Sequence, residues 1–203
     1  MLISVFGATG GTGRQVVEQA LAQGHQVKAL VRTPEKLGER PGLVLLPGDV
    51  RDADATAGCV EGTDAVVCVL GSHGSKTPIE AVGTEQILKA MQAHGVRRLV
   101  AVTSLGVGDS RDQINPVFRL IMDLTLKPIM QAKEAQEQLI KASGLDWTIV
   151  RPGGLTDGPR TGQYRHGLDR GIKGGRISRA DVAEFVLRQV GDMTYLQQTP
   201  AVT

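Results

Sequence analysis

Gly7-Ala8-Thr9-Gly10-Gly11-Thr12-Gly13 sets small residues at a spacing that lets a backbone close around an anion. The apolar run at 2–6 precedes it, Val16, Val17, Ala20 and Leu21 follow at helical spacing, and a second apolar run comes at 26–31. In such a strand–turn–helix–strand unit the first glycine makes the turn, the second admits a pyrophosphate, and the third lets the helix pack on the sheet. The helix also points its free N–H groups and positive dipole end at the phosphates. Gly7, Thr9, Gly10, Gly11, Thr12 and Gly13 are therefore expected to contact a dinucleotide.

The end of the second strand decides which dinucleotide. A site for NAD(H) usually places a carboxylate there for the ribose 2′-hydroxyl, and that carboxylate repels a 2′-phosphate. This chain has Leu30-Val31-Arg32-Thr33. Arg32 can fork onto a 2′-phosphate and stack on adenine, and Arg14 in the glycine-rich turn adds charge. The competing reading of Arg32 is a solvated loop residue. Its position favours the first, and NADP(H) is expected over NAD(H).

Ligands of parallel sheets bind outside the carboxyl ends of the strands, which singles out the residues that follow each apolar run. Asp49 and Val50 would meet the adenine, and Leu70 with Gly71 would flank the middle of the dinucleotide. Ser104 and the segment Pro152, Gly153, Gly154 and Leu155 would border the nicotinamide. Between 151 and 179, Arg151, Arg160, Arg165, Arg170, Lys173, Arg176 and Arg179 outweigh Asp157 and Asp169. Such an excess suits an anionic, planar acceptor, and equally suits a solvated surface. His73 and His166 are lone histidines, for which a structural role is the default.

These residues need a scaffold. Strands are expected at 2–6, 26–31, 43–46, 64–70, 97–103 and 146–151, with helices at 11–23, 52–59, 78–94, 115–142 and 179–190. This alternation predicts an α/β fold, a single-domain Rossmann-type doubly wound parallel sheet with helices on both faces, over residues 1–203. The continuous apolar stretches 65–70 and 99–102 fit strands covered on both sides. The glycine-rich, basic segment at about 152–177 is read as an ordered substrate loop.

A net charge of +2 and 3% aromatic residues give no general attraction to nucleic acid and no base-stacking surface. No membrane span and no leader is read in the chain, which makes a cytoplasmic protein the expectation. Cys59 and Cys68 lack metal-ligand spacing and read as core residues in a reducing compartment; no metal is expected. The helix at 115–142 can cover the sheet or meet a second subunit, so a monomer or weak dimer is expected.

Together these residues resemble the atypical short-chain dehydrogenase/reductases of the NAD(P)H-binding, NmrA-like type, and most of all their biliverdin-IXβ reductase and flavin reductase branch. The likeness runs through 6–13, Leu30-Val31-Arg32, Gly48-Asp49-Val50, Ala93-His94-Gly95-Val96, Thr103-Ser104, Ser143-Gly144-Leu145, Thr161-Gly162-Gln163-Tyr164 and 176–183. It implies phosphate contacts from Gly10, Thr12 and Gly13, a 2′-phosphate contact from Arg32, and an active-site serine at Ser104. There are departures. The branch's two active-site histidines fall on Gly154 and Lys133, and the family's tyrosine four residues before its lysine falls on Ile129.

Without that phenol, reduction of an isolated ketone loses its acid. Hydride transfer to a flavin, a bilin or a quinone asks less of the protein, because the acceptor delocalises the charge and proximity supplies most of the catalysis. Ser104 would orient the nicotinamide or the acceptor, and Lys133 would hold a ribose hydroxyl or stabilise developing charge. The competing readings are a strand-end hydroxyl bonded to backbone for Ser104 and a solvated helix face for Lys133. Phe118 and Met122 are the candidate apolar lids. A non-catalytic NADP(H)-binding sensor or assembly factor is the alternative function, and epimerisation of a nucleotide sugar is disfavoured by the missing tyrosine.

Overall fold

The computed structural model describes residues 1–72 and 78–203, and of Phe118, Met122 and Asp123 the backbone alone. Its first half repeats one unit. Strand β1 (Leu2–Phe6) leads through the glycine turn into α1 (Gly11–Ala22), and β2 (Gln26–Val31) returns beside β1, with Phe6 facing Leu30 in register. Next come β3 (Leu43–Pro47), α2 (Ala53–Val60), β4 (Ala65–Cys68), α3 (Glu80–Ala93) and β5 (Arg98–Val102). The second half holds α4 (Pro116–Thr125), α5 (Lys127–Ala142), β6 (Asp146–Pro152), β7 (Gly154–Thr156), β8 (His166–Gly167), β9 (Arg176–Ser178), α6 (Arg179–Gly191) and β10 (Ala201–Val202).

The main sheet runs β3-β2-β1-β4-β5-β6-β10-β8, parallel except for the antiparallel edge β8, and β7 pairs with β9 in a small parallel ribbon. Strand order reverses between β1 and β4, the point at which the connections leave on opposite faces and open a crevice above the strand ends. On one face, Val5, Val16, Ala20, Val186 and Phe185 build a core with α1 and α6. On the other, Phe6, Ile87, Met91, Leu99, Ile140 and Trp147 build a second core with α3 and α5. Each large apolar side chain so buried contributes about 1.5–3 kcal/mol. Cys59 and Cys68 lie in this second core, and burial pushes the Cys59 thiol up to about 11.

Two features of the second half differ from the sequence reading. The helix expected over 115–142 is broken into α4 and α5. Pro128 sits in the first turn of α5, where its missing N–H costs nothing, whereas inside one continuous helix it would remove a backbone hydrogen bond. The segment 152–177 is not a single loop, since it contributes β7, β8 and β9. Strands of two or three residues carry too little periodicity to be read. β10 is inserted between β6 and β8, with Thr203 N–H donating to the Arg165 carbonyl at 2.9 Å.

Candidate functional site

The glycine-rich turn is held by contacts that admit no side chain. Gly7 adopts φ +86°, and a Cβ there would lie 2.4 Å from the Val69 carbonyl oxygen. A Cβ on Gly13 would lie 2.1 Å from the Gly7 carbonyl oxygen, so α1 rests directly on the turn. Gly10 caps α1 without a side chain and leaves the helix's first N–H groups to a ligand.

Two connected cavities open above the strand ends, sharing Gly10, Val69, Leu70 and Gly71 in their walls. The smaller, about 110 Å³, is bounded by Gly7, Thr9, Arg32, Asp49 and Val50. Arg51 forks onto the Asp49 carboxylate at 2.9 and 2.8 Å and holds its pKa down to about 2, with Arg32 adding to the field. Arg14 is not in either wall; its Nε donates to the Thr9 carbonyl at 3.1 Å and braces the turn.

The larger cavity, about 710 Å³, brings Gly11, Thr12, Gly13, Ser104, Lys133 and 152–155 together. Ser104 Oγ donates to the Leu105 carbonyl at 3.1 Å, which leaves its lone pairs for a ligand N–H. Lys133 is half-buried, and its ammonium makes no hydrogen bond among the described residues. Burial pushes its pKa down, opposed by the negative field of the Glu80 carboxylate. Ile129 lines the cavity one helical turn from Lys133, so an alkyl group stands where the family's phenol would. The two tyrosines lie elsewhere, Tyr164 bonded to Glu184 and Tyr195 to His166.

Three charged lining residues were not anticipated as site residues. Glu80 is fully buried at the start of α3, accepts the Ser72 N–H at 3.0 Å and bonds the Ser72 hydroxyl. Nothing in a lone acid at a helix start announces that placement. Arg179 begins α6 and lies across the glycine turn: a Cβ on Gly11 would be 2.6 Å from its Cδ. It pairs with Asp157 at 2.6 Å. Arg176 also lines the cavity, and the only signal for either arginine was membership of the basic segment.

Of the charges in that segment, Arg176 and Arg179 reach the cavity wall, whereas Arg151 and Arg170 do not. Arg151 is buried, forked onto Glu137 at 2.9 and 2.6 Å and bonded to Asp109 at 2.7 Å. Arg170 is engaged by Asp112 at 2.5 Å. His166 sits outside the cavity walls, with Arg188 donating to its Nε2 at 3.1 Å and its Nδ1 facing the Tyr195 hydroxyl at 2.9 Å. Since arginine has no acceptor, Nε2 is unprotonated and the ring is neutral. His73 and the side chains of Phe118 and Met122 lie outside the described residues.

The profile of a family described as NAD(P)H-binding matches residues 7–193. The chain belongs to this NAD(P)H-binding family. An uncharacterized chloroplastic protein of Arabidopsis thaliana is 38% identical over 91% of this chain and 70% of its own length. A Bacillus subtilis relative, named as the uncharacterized sugar epimerase YhfK, is 31% identical over 95% and 89%. Among solved structures, ChuY, an anaerobillin reductase from Escherichia coli O157:H7, superimposes with TM-score 0.84 at 25% identity, covering 100% of this chain and 96% of that one. The chain thus has the Rossmann-type, oxidoreductase-like fold of NAD(P)H-binding proteins. Among the described residues no helix is long and apolar enough to cross a membrane.

Proposed function

We propose that this NAD(P)H-binding protein is a reductase that prefers NADPH and delivers hydride to a conjugated planar acceptor such as a flavin, a bilin or a quinone. The observation that carries the reading is Ile129 beside Lys133 on the cavity wall: a site without a phenolic acid suits an acceptor that spreads the incoming charge. The likeness to ChuY, an anaerobillin reductase, supports it.

The residues present fit the dinucleotide. The glycine turn admits a pyrophosphate where a Cβ would collide, and the free N–H groups of α1 face it. Arg179, lying over Gly11, adds a charge to that phosphate site. Arg32 would provide the 2′-phosphate contact, and Arg51 neutralises the Asp49 carboxylate, which lines the same cavity and would oppose it. Bound there, the dinucleotide supplies hydride. Ser104, whose hydroxyl proton is given to the Leu105 carbonyl, would accept from the carboxamide and orient the ring. Pro152, Gly153, Gly154 and Leu155 line the same cavity and would border the nicotinamide. Lys133 stabilises the negative charge that develops on the acceptor.

The deciding experiment follows the dihydronicotinamide absorbance with purified protein and a flavin or biliverdin, with NADPH and NADH in parallel. Turnover favouring NADPH is the expected result. Tight NADPH binding with no oxidation by any acceptor would transfer the conclusion to an NADP(H)-binding sensor or assembly factor. Arg32→Glu should weaken NADPH at least tenfold more than NADH, a difference of about 1.4 kcal/mol; equal losses would remove the 2′-phosphate role.

A further inference from the structure

Gly11 is a glycine that the turn itself does not require. At Gly7 and Gly13 a Cβ would strike backbone, but at Gly11 the three nearest atoms all belong to one side chain, that of Arg179: Cδ at 2.6 Å, Nε at 2.8 Å and Cζ at 3.7 Å. Gly11 has no left-handed backbone to maintain, and it opens α1, where alanine is the better helix residue. The glycine makes room for the arginine.

Arg179 reaches this seat from the far end of the chain. Thr156 of β7 pairs in register with Ser178 of β9, so the residues that follow, Asp157 and Arg179, leave the ribbon side by side. Nη1 of Arg179 donates to the Asp157 carboxylate at 2.6 Å, while Nε lies on the Gly11 side. The side chains of Arg179 and Asp157 are 25% and 87% exposed. An ion pair so open to water is weak and readily exchanged. The first turn of α1 carries no acidic residue, so a guanidinium over its positive end is favourable only with an anion between them.

We propose that Arg179 is a strap over the diphosphate of the dinucleotide, seated by Gly11, and that it exchanges Asp157 for the diphosphate when the dinucleotide binds. Gly11 is thus a positioning residue and Asp157 a competitor for the same cation. This goes beyond the reductase reading, since it concerns the hold on the cofactor and not the acceptor. Because NADPH and NADH share the diphosphate, the strap serves both, unlike Arg32.

Binding is read from dihydronicotinamide fluorescence as NADPH or NADH is titrated into purified protein with no acceptor present. Arg179→Ala is expected to weaken both by about tenfold or more and to similar extents. Gly11→Ala, which pushes the arginine off its seat, should lose as much while keeping its urea midpoint, and the double variant should lose no more than either alone. Asp157→Asn should tighten both by about two- to fivefold, because the competing carboxylate is gone. Additive losses in the double variant would mean that the added methyl strikes the dinucleotide itself, which overturns the seat. Unchanged affinity in Arg179→Ala overturns the strap, and unchanged or weaker binding in Asp157→Asn overturns the exchange. None of these results touches hydride transfer, so the reductase reading stands or falls separately, on NADPH oxidation.

Discussion

Ser104 and Lys133 stand on adjacent walls of one cavity, and each is half-satisfied in a different sense. The serine has spent its proton on the Leu105 carbonyl, so it can only accept. Ser104→Ala should lower hydride transfer by about tenfold, the worth of one hydrogen bond, while NADPH affinity stays nearly unchanged. An unchanged rate would reduce Ser104 to a strand-end hydroxyl. His166 gives a residue-scale prediction about pH. Burial is the main cause of its lowered pKa, with Arg188 adding to it, while Glu184 and Asp192 oppose. The unfolded chain therefore binds the proton more readily than the native one, and stability rises with pH across the interval below the ordinary histidine value. Urea midpoints should fall as pH is lowered from about 7 to 5.5, and His166→Gln should flatten that slope. A slope identical in both proteins would clear His166 of the effect.

At the scale of elements, Glu137 ties α5 to the end of β5 and to β6. Its carboxylate takes the Thr103 hydroxyl of the β5 end at 2.8 Å and the Arg151 fork of β6, while Lys141 lies 3.1 Å away on its own helix. Through Arg151 the network reaches Asp109, and Arg170 donates to the Asp109 carbonyl at 2.8 Å. Desolvation is the largest single influence on the Glu137 carboxyl and pushes its pKa up, but Arg151, Thr103 and Lys141 together outweigh it and hold the pKa below the ordinary value, so the group stays ionised. Glu137→Ala leaves a buried guanidinium without its main partner and should cost about 3–5 kcal/mol in urea unfolding. A loss below about 1 kcal/mol would mean that water or Asp109 takes over the pairing. This network was not readable in advance. Arg151 looks like any loop cation in the sequence, and only the folded chain places a carboxylate from α5 against it. The βαβ unit was readable because its turn, its helix and its second strand are contiguous, and each glycine answers a local steric demand. Lys133 and Ile129 were also legible, one helical turn apart by spacing alone. Arg179 over Gly11 was not, because it comes from the far end of the chain and depends on how α6 docks. The Ser178 hydroxyl sets that start by accepting the Asp181 N–H at 2.9 Å, and Asp181 in turn holds the Thr161 and Gly162 N–H groups.

For the molecule as a whole, the sheet separates two cores, and both thiols lie on the same side. Cys59 and Cys68 are 0% and 1% exposed, the first on the buried face of α2 and the second on β4 beside Thr84 and Gln136. Native protein should therefore be silent to alkylating reagents, and each modification event must follow an opening that parts α2 or α3 from the strands. NADPH binding should slow that labelling in proportion to occupancy, because ligand stabilises only the closed chain; labelling at an undiminished rate would show that these openings leave the binding crevice intact. The chain thus carries its own unlabelled clock for breathing, with two sulfur atoms that keep time for the helical layer over the sheet and report ligand occupancy without any added dye.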